Sequence, residues 1–508
     1  MAVLRIVPLI LAAVVGLLVV DAGFVYDDAS ALVDNPVVNG STPIWEAFVR
    51  DFWGRPATHG FTSWRPLMPI VWALIWRLWP SDPLPFHILS ASLHVFAVWI
   101  SMRFVYRIRP SYAYSSVVGV LFALHPLNTE AVSAIVSQAD LLSFALAIAA
   151  CTVSLGPASL RTGSYCALLL LLATLVKESA IILAPLTVLL FSLERGDKKP
   201  PLLAAVPVLL VTVLLIALQL SLPRAPGVTM ITSNLAHHAD GGMRVLLGLH
   251  NIGRSLWMLV WPWPIVPNHG YAATELRLGV LGPHAALGAG LLVVGTIGGF
   301  WAVKRRRTAW VAALSLLYAP ALLQSHWFVP LITDLAERLL YPATLGVAMI
   351  VGICIFDWLQ RPMARALLVS SLGLAALIGS LSARRAWVDE DSLWLYSVRA
   401  EPKATIHQHN ASNTFFRADD LDRGAYHRLI DVYLLNRFPA PVQWTEIDST
   451  SSLSPLERFV ELPAILEPDD PCALVRVFTK EAKQYQPLYE HVVEHWGPRY
   501  PACGRWAP

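Results

Sequence analysis

The chain has 508 residues, 56% of them hydrophobic and 14% charged, with a formal net charge of +3. Soluble domains carry about 25% charged residues, so this composition, with a mean hydropathy of +0.54, excludes an ordinary soluble enzyme and reads as an all-α polytopic membrane protein. The near-neutral charge balance also excludes the electrostatic footprint of a nucleic-acid binder.

The first apolar run, Met1 to Val20, carries Arg5 near its start, is long enough to span a bilayer, and reads as an uncleaved signal-anchor. A long polar loop follows, to about Pro85, with two short amphipathic pieces predicted at Trp45 to Trp53 and Arg65 to Trp79. Phe86 to Tyr106 crosses toward Arg103, Arg107 and Arg109, and Tyr112 to Leu124 returns. Ala131 to Leu155 crosses to Arg161, Tyr165 to Val176 returns to Lys177-Glu178, and Ala180 to Leu193 crosses to Arg195, Lys198 and Lys199. Leu202 to Leu222 returns. Leu278 to Val303 ends at the basic run Lys304 to Arg307, Trp310 to Leu323 returns, Leu339 to Phe356 crosses to Arg361 and Arg365, and Ala366 to Leu381 returns again.

The basic clusters alternate consistently when their side is cytoplasmic. This gives a bundle of about 11 transmembrane helices, with the N-terminus inside and a small, mostly helical tail outside. The apolar segment Val245 to Trp263 does not fit this alternation, because both its ends fall outside; a re-entrant path, an interfacial helix and half of a helix pair are all open. The membrane domain is set at 1–383, with the first outer loop at about 21–85, and the polar tail at 384–508. Cys151, Cys166 and Cys354 lie in apolar runs; Cys472 and Cys503, in the tail, would pair only in an oxidising compartment. No metal spacing is singled out: His237, His238 and Asp240 are weak candidates, because adjacent histidines rarely share one ion.

With this topology the charged groups nearest the membrane fall on the outer side. They are Asp27 and Asp28, Arg65, His125 and Glu130, Lys177 and Glu178, and Glu337 and Arg338. Ionisable groups at membrane depth are costly and face a cavity or one another. A shared outer cavity therefore suits a phosphate-linked substrate at headgroup level. Arg65, Lys177 and Arg338 are the candidate phosphate cations, and Asp27 or Asp28 the candidate base for an acceptor hydroxyl. Such an inverting displacement needs no covalent intermediate, and no cofactor or metal is expected. The structural alternatives are a helix cap for the Asp pair, a local ion pair for Lys177-Glu178 and for Glu337-Arg338, and a helix end at His125-Pro126.

The motifs Phe24-Val25-Tyr26-Asp27-Asp28, Asp34-Asn35-Pro36, Asp51-Phe52-Trp53-Gly54 and Ser63-Trp64-Arg65-Pro66-Leu67 resemble the first outer loop of the transmembrane and tetratricopeptide-repeat O-mannosyltransferases. Leu121 to His125-Pro126 with Thr129-Glu130-Ala131-Val132, Gln138-Ala139-Asp140, Lys177-Glu178, and Ala336-Glu337-Arg338-Leu339-Leu340-Tyr341 continue the series in order. The resemblance implies a GT-C fold, a polyprenyl- or dolichyl-phosphate sugar as donor, and an acidic base in the first outer loop, either Asp27 or Asp28. It also implies a multi-pass location with the site on the non-cytoplasmic side: the periplasmic face of a bacterial inner membrane, or the lumenal face of the endoplasmic reticulum in a eukaryote.

Two features depart from the family pattern. Gln138 stands where the family usually has Arg. The segment from Trp387 to Trp394, with Ala400-Glu401-Pro402, looks like the entry to a repeat array, but only one degenerate hairpin follows, through Tyr426. The acceptor is therefore open among protein, lipid and glycan. A transporter or flippase would place its charges near mid-helix and show related halves. A non-catalytic scaffold would tolerate loss of both aspartates.

Overall fold

The structure, a computed structural model, describes residues 2–61, 63–193, 202–223, 241–269, 282–329, 331, 333–402, 404–436 and 486–499. His237, His238, Asp240, Cys472 and Cys503 lie outside the described residues. Among the described residues the secondary structure is helical, apart from an isolated bridge between Arg50 and Pro56.

The chain divides into two compact units. The first is formed by Met1–Met230, Ala236–Pro267 and Leu281–Asp389. Its helices are α1 (Ala2–Leu17), α2 (Leu67–Leu78), α3 (Leu84–Ile108), α4 (Tyr112–Leu124), α5 (Asn128–Ser133), α6 (Gln138–Ser154) and α7 (Leu160–Val176), then α8 (Ala184–Leu193), α9 (Leu202–Ser221), α10 (Gly241–Val260), α11 (Pro283–Lys304), α12 (Thr308–Leu323), α13 (Tyr341–Trp358) and α14 (Pro362–Arg384).

Among the described residues six helices are long and apolar enough to cross a membrane: α3, α6, α9, α11, α13 and α14, some with their flanking turns. Six further apolar helices are shorter, at 10–17 residues. Burial sorts the long ones. The apolar window of α6 is 78% buried within the protein, whereas those of α9, α11 and α14 are 22%, 11% and 17% buried. Thus α6 is central, while the other three present apolar side chains outward, as lipid-facing helices do. The core around α6 is built from Phe104, Tyr114, Phe122, Phe144, Phe191 and Tyr341. Helices α1 and α3 meet at small residues: a Cβ on Gly16 would lie 2.7 Å from the Ala91 Cα, a close backbone approach typical of membrane helix pairs.

The structure redraws several predicted elements. The crossing expected at Ala131 to Leu155 is split into α5, a short turn at Ile135–Ser137 and then α6. Ile135 and Val136 open that 3-10 turn, so their N–H groups have no acceptor within it, and a side chain from the first loop takes them. The crossing expected at Ala180 to Leu193 likewise begins as a 3-10 turn, Glu178–Leu183, and another, Glu337–Leu340, precedes α13. Lys177-Glu178 and Glu337-Arg338 therefore each sit at a tight turn just ahead of an apolar helix. The piece expected at Trp45 to Trp53 is helical only over Ile44–Phe48, because the Asp51 carboxylate accepts from Trp53 N at 3.0 Å and Arg55 N at 2.8 Å and turns the chain. The second amphipathic piece is α2, which starts after Pro66 and leaves Arg65 free of the helix. Val245 to Trp263 becomes α10, whose polar face is buried: Asn251 Nδ2 donates to Gln324 O at 2.9 Å.

The long loop between α1 and α3 has its own core of Leu32, Val38, Phe52, Met68, Trp72 and Phe86, packed on Ile135 and Ala139. Asn35 cross-links it, donating to Phe52 O at 3.1 Å and accepting from Val37 N at 3.1 Å. Gln138 belongs to this framework. Its side chain accepts from Trp72 Nε1 at 2.9 Å and donates to Phe86 O at 2.7 Å and to Ser90 Oγ at 2.9 Å.

The second unit holds the tail. Its described helices are α15 (Glu390–Ala400), α16 (Thr405–Arg417), α17 (Leu421–Asn436) and α18 (Gln486–Arg499). Helices α16 and α17 form a hairpin closed by Ser412 Oγ donating to Gly424 O at 2.8 Å. Arg417 pairs with Asp391 at 3.2 Å, and His269 with Glu401 at 2.8 Å.

Candidate active site

The loop core fixes the start of the loop, and so places two consecutive aspartates differently. Asp28 is fully buried, and its carboxylate accepts three backbone hydrogen bonds: from Val136 N at 2.7 Å, Val25 N at 3.2 Å and Ile135 N at 3.3 Å. It fills the donors left open by the break before α6. Burial pushes its carboxyl up to about 7, against the pull of those N–H groups. Asp27 is half-buried, and no described residue hydrogen-bonds or ion-pairs with its carboxylate. The residue before it, Tyr26, has φ 59, a left-handed conformation that a bulky residue adopts only when its surroundings impose it.

Asp27 faces the candidate cations. Burial raises its carboxyl above the usual range, and the charges of Arg338, Arg65 and Lys177 pull it back in that order. Three of the predicted cations from three distant parts of the chain therefore share one electrostatic environment with one carboxylate.

Each cation has a carboxylate of its own. Arg65 meets Glu178 in a bidentate pair, Nε to Oε2 at 2.7 Å and Nη2 to Oε1 at 2.6 Å, with its guanidinium 4.8 Å from the Phe52 ring. Lys177 Nζ donates to both oxygens of Asp140 at 2.6 Å. Arg338 pairs through Nη1 with Glu130 Oε1, and its backbone N–H donates to Glu130 Oε2 at 2.8 Å. Burial raises the Glu130 carboxyl, while Arg338 lowers it. The cluster holds three cations and, counting Asp27, four carboxylates. Arg65 spends two of its five N–H groups on Glu178, and Arg338 directs Nη1 alone of its side-chain nitrogens at Glu130, so both guanidinia keep donors for a second anion.

Six of the nine predicted residues meet here: Asp27, Arg65, Glu130, Lys177, Glu178 and Arg338. Asp28 supports the loop from below. Glu337 turns away and accepts from Val266 N at 2.9 Å. His125 ties α4 to α10, its Nε2 at 3.1 Å from Leu259 O and its Nδ1 accepting from Leu127 N at 3.3 Å. Burial pushes the His125 ring down to about 4, which keeps it neutral. Asp140 is the member that sequence reasoning passed over, although a carboxylate in the first turn of an apolar helix is itself a signal. Asp140 also borders a small, mainly apolar cavity of about 20 Å³, room for one water, lined by Ser143, Phe144, Leu183, Leu323 and Leu339. In the tail unit, His491, Glu494 and His495 bring their ligand atoms within 4.8 Å of one another, a grouping absent from the sequence reading and of a kind common without a metal.

The resemblance expected from the motifs is borne out by similarity to curated proteins. Over 170 residues the chain is 30% identical to the protein O-mannosyl-transferase F38B6.6 of Caenorhabditis elegans, covering 32% of this chain and 24% of that protein. It is 39% identical over 137 residues to the protein O-mannosyl-transferase Tmtc1 of Drosophila melanogaster, 26% of this chain and 16% of the relative. It is 36% identical over 167 residues to human protein O-mannosyl-transferase TMTC3, 31% of this chain and 18% of the relative. The matched part is thus at most about a quarter of these relatives' length. No family profile and no solved structure matches the chain.

Proposed function

We propose that the chain is a membrane glycosyltransferase of GT-C type that moves a sugar, mannose first among the candidates, from a polyprenyl- or dolichyl-phosphate carrier to an acceptor hydroxyl on the non-cytoplasmic face. The observation that carries this reading is the unpartnered Asp27 carboxylate among Arg338, Arg65 and Lys177. In the reaction Asp27 takes the proton of the acceptor hydroxyl. The acceptor oxygen bonds to the anomeric carbon from the face opposite the phosphate, the bond from that carbon to the phosphate oxygen breaks, and the carrier phosphate leaves with the electron pair. The spare donors of Arg65 and Arg338 stabilise the charge that develops on it. A base whose pKa burial raises suits this task, because a more basic carboxylate takes a hydroxyl proton more readily than an ordinary one.

One further feature supports the reading: the relatives' names supply the mannosyl transfer. A protein is the acceptor those names favour, with lipid and glycan acceptors as the alternatives. The bundle would have about eleven crossings, the shorter apolar helices included.

The test is purified protein in lipid vesicles, given polyprenyl-phosphate mannose and glucose separately with peptide, lipid and glycan acceptors. Transfer from one donor, with inversion at the anomeric carbon and release of the carrier phosphate, is the expected result. Absence of transfer from every donor by folded protein rejects the assignment.

A further inference from the structure

The three cations near Asp27 are all neutralised by protein carboxylates. A fourth buried cation in the same unit is not. Arg384, the last residue of α14, is 3% exposed, and its Nε, Nη1 and Nη2 are buried with no hydrogen-bond partner. Trp387 follows three residues later, 1% exposed, with its indole Nε1 also unpartnered. Three residues apart on a helical end, the two side chains share a face.

The surroundings are rigid. Gly23 N donates to Val388 O at 3.1 Å, fixing the chain after Trp387 to the start of the long loop after α1. The Gly23 carbonyl is in turn held by His87 Nε2 at 3.3 Å. One turn before Arg384, Ser380 Oγ donates to Leu124 O at 3.1 Å. The charge of Arg384 reaches His94. That ring supplies no counter-charge, and it is already engaged by the Tyr341 hydroxyl at 2.8 Å and the Ala123 carbonyl at 3.2 Å. A buried charge with neither ion pair nor hydrogen bond is among the most costly arrangements a fold can hold. Here the cost falls on the one side chain whose planar fork matches a phosphate bidentately.

We infer that Arg384, with the Trp387 indole N–H, forms a second anion site that takes a phosphate group, separate from the Asp27 cluster. The distinction is one of partners: Arg65, Lys177 and Arg338 each hold a carboxylate, whereas all three side-chain nitrogens of Arg384 are without one. The phosphate has two possible sources, a lipid headgroup or free inorganic phosphate.

Native mass spectrometry of the full chain separates them. Wild type, Arg384→Met, Arg384→Lys, Trp387→Phe and, as a control on the other cluster, Arg65→Met are each offered a short-chain prenyl phosphate, inorganic phosphate or the uncharged prenol. The expected result is one phosphate-bearing molecule more on wild type than on Arg384→Met, or that extra molecule held at least ten-fold more weakly by Arg384→Met, while Arg65→Met weakens only the molecule held at the Asp27 cluster and keeps the extra one. Trp387→Phe should weaken it about five-fold, the loss of one hydrogen bond, and Arg384→Lys should be intermediate. Retention of prenyl phosphate alone assigns a lipid headgroup, and retention of inorganic phosphate assigns the free ion. Equal retention in wild type and folded Arg384→Met overturns the inference. So does failure of wild type to hold either phosphate, or, if Arg384→Met does not fold, full retention by both Arg384→Lys and Trp387→Phe.

Discussion

The Asp28 carboxylate accepts a 2.7 Å hydrogen bond from the backbone N–H of Val136, a residue 108 positions along the chain. That bond sews the start of the long loop after α1 to the turn ahead of α6. It also sets the direction of the next carboxylate back along the chain, Asp27, which is left to face the cations.

The two aspartates should therefore fail differently. Asp28→Asn puts a carboxamide N–H₂ among three N–H donors and should destabilise the fold by about 1–3 kcal/mol, the cost of leaving buried groups unsatisfied. Asp27→Asn removes no hydrogen bond and should leave thermal stability within about 0.5 kcal/mol of wild type. Melting of both variants in the same lipid checks this.

Activity should have an acid limb set by Asp27. The base works only when ionised, so kcat/KM should fall as pH drops through its pKa. Burial raises that pKa, so the limb should lie above the ordinary Asp range near about 3.9. Arg65→Gln removes a charge that pulls the pKa down and should move the limb to higher pH. A pH profile of kcat/KM for wild type and Arg65→Gln measures both.

The pair Lys177–Asp140 has both side chains 6% exposed. Breaking it from one side leaves a buried uncompensated charge, so Lys177→Met should cost about 3–5 kcal/mol. The double variant Lys177→Met with Asp140→Leu should recover most of that stability but not transfer activity. A double-mutant cycle on melting, with turnover read in parallel, separates the two roles.

Gly54 has φ +77, and a Cβ there would sit 2.4 Å from Asn35 Oδ1 and 2.5 Å from Pro36 Cδ. Gly54→Ala should strain the turn by about 1–2 kcal/mol and displace Asn35, which cross-links the first loop. Faster proteolysis within the loop, with the rest of the bundle intact, is the expected readout.

Much of this was legible in the sequence, because burial in a membrane leaves a strong hydropathy trace. Helices α3, α4, α7 and α14 fall close to the apolar runs that predict them. The grouping of Arg65, Lys177 and Arg338 with Asp27 also follows from placing charges at the same-side ends of those runs. What escaped depends on contacts between distant parts of the chain. The roles of Asp27 and Asp28 diverge only because Ile135 and Val136 leave their N–H groups open, and nothing local at Phe24 to Asp28 records that. Asp140 was passed over because it lies inside an apolar run, where it reads as part of a motif rather than as the partner of Lys177. Arg384 looks like the first residue of the polar tail, but it is the last residue of α14 and is buried. Gln138, which stands where the family usually has Arg, is a satisfied bridge between α2 and α3.

The most direct test of the account is the single-turnover rate of sugar transfer from a polyprenyl-phosphate donor by Asp27→Asn in lipid, under conditions where its melting matches wild type. A fall of about 10²-fold or more is predicted, the usual worth of a general base. A rate equal to that of wild type would contradict it.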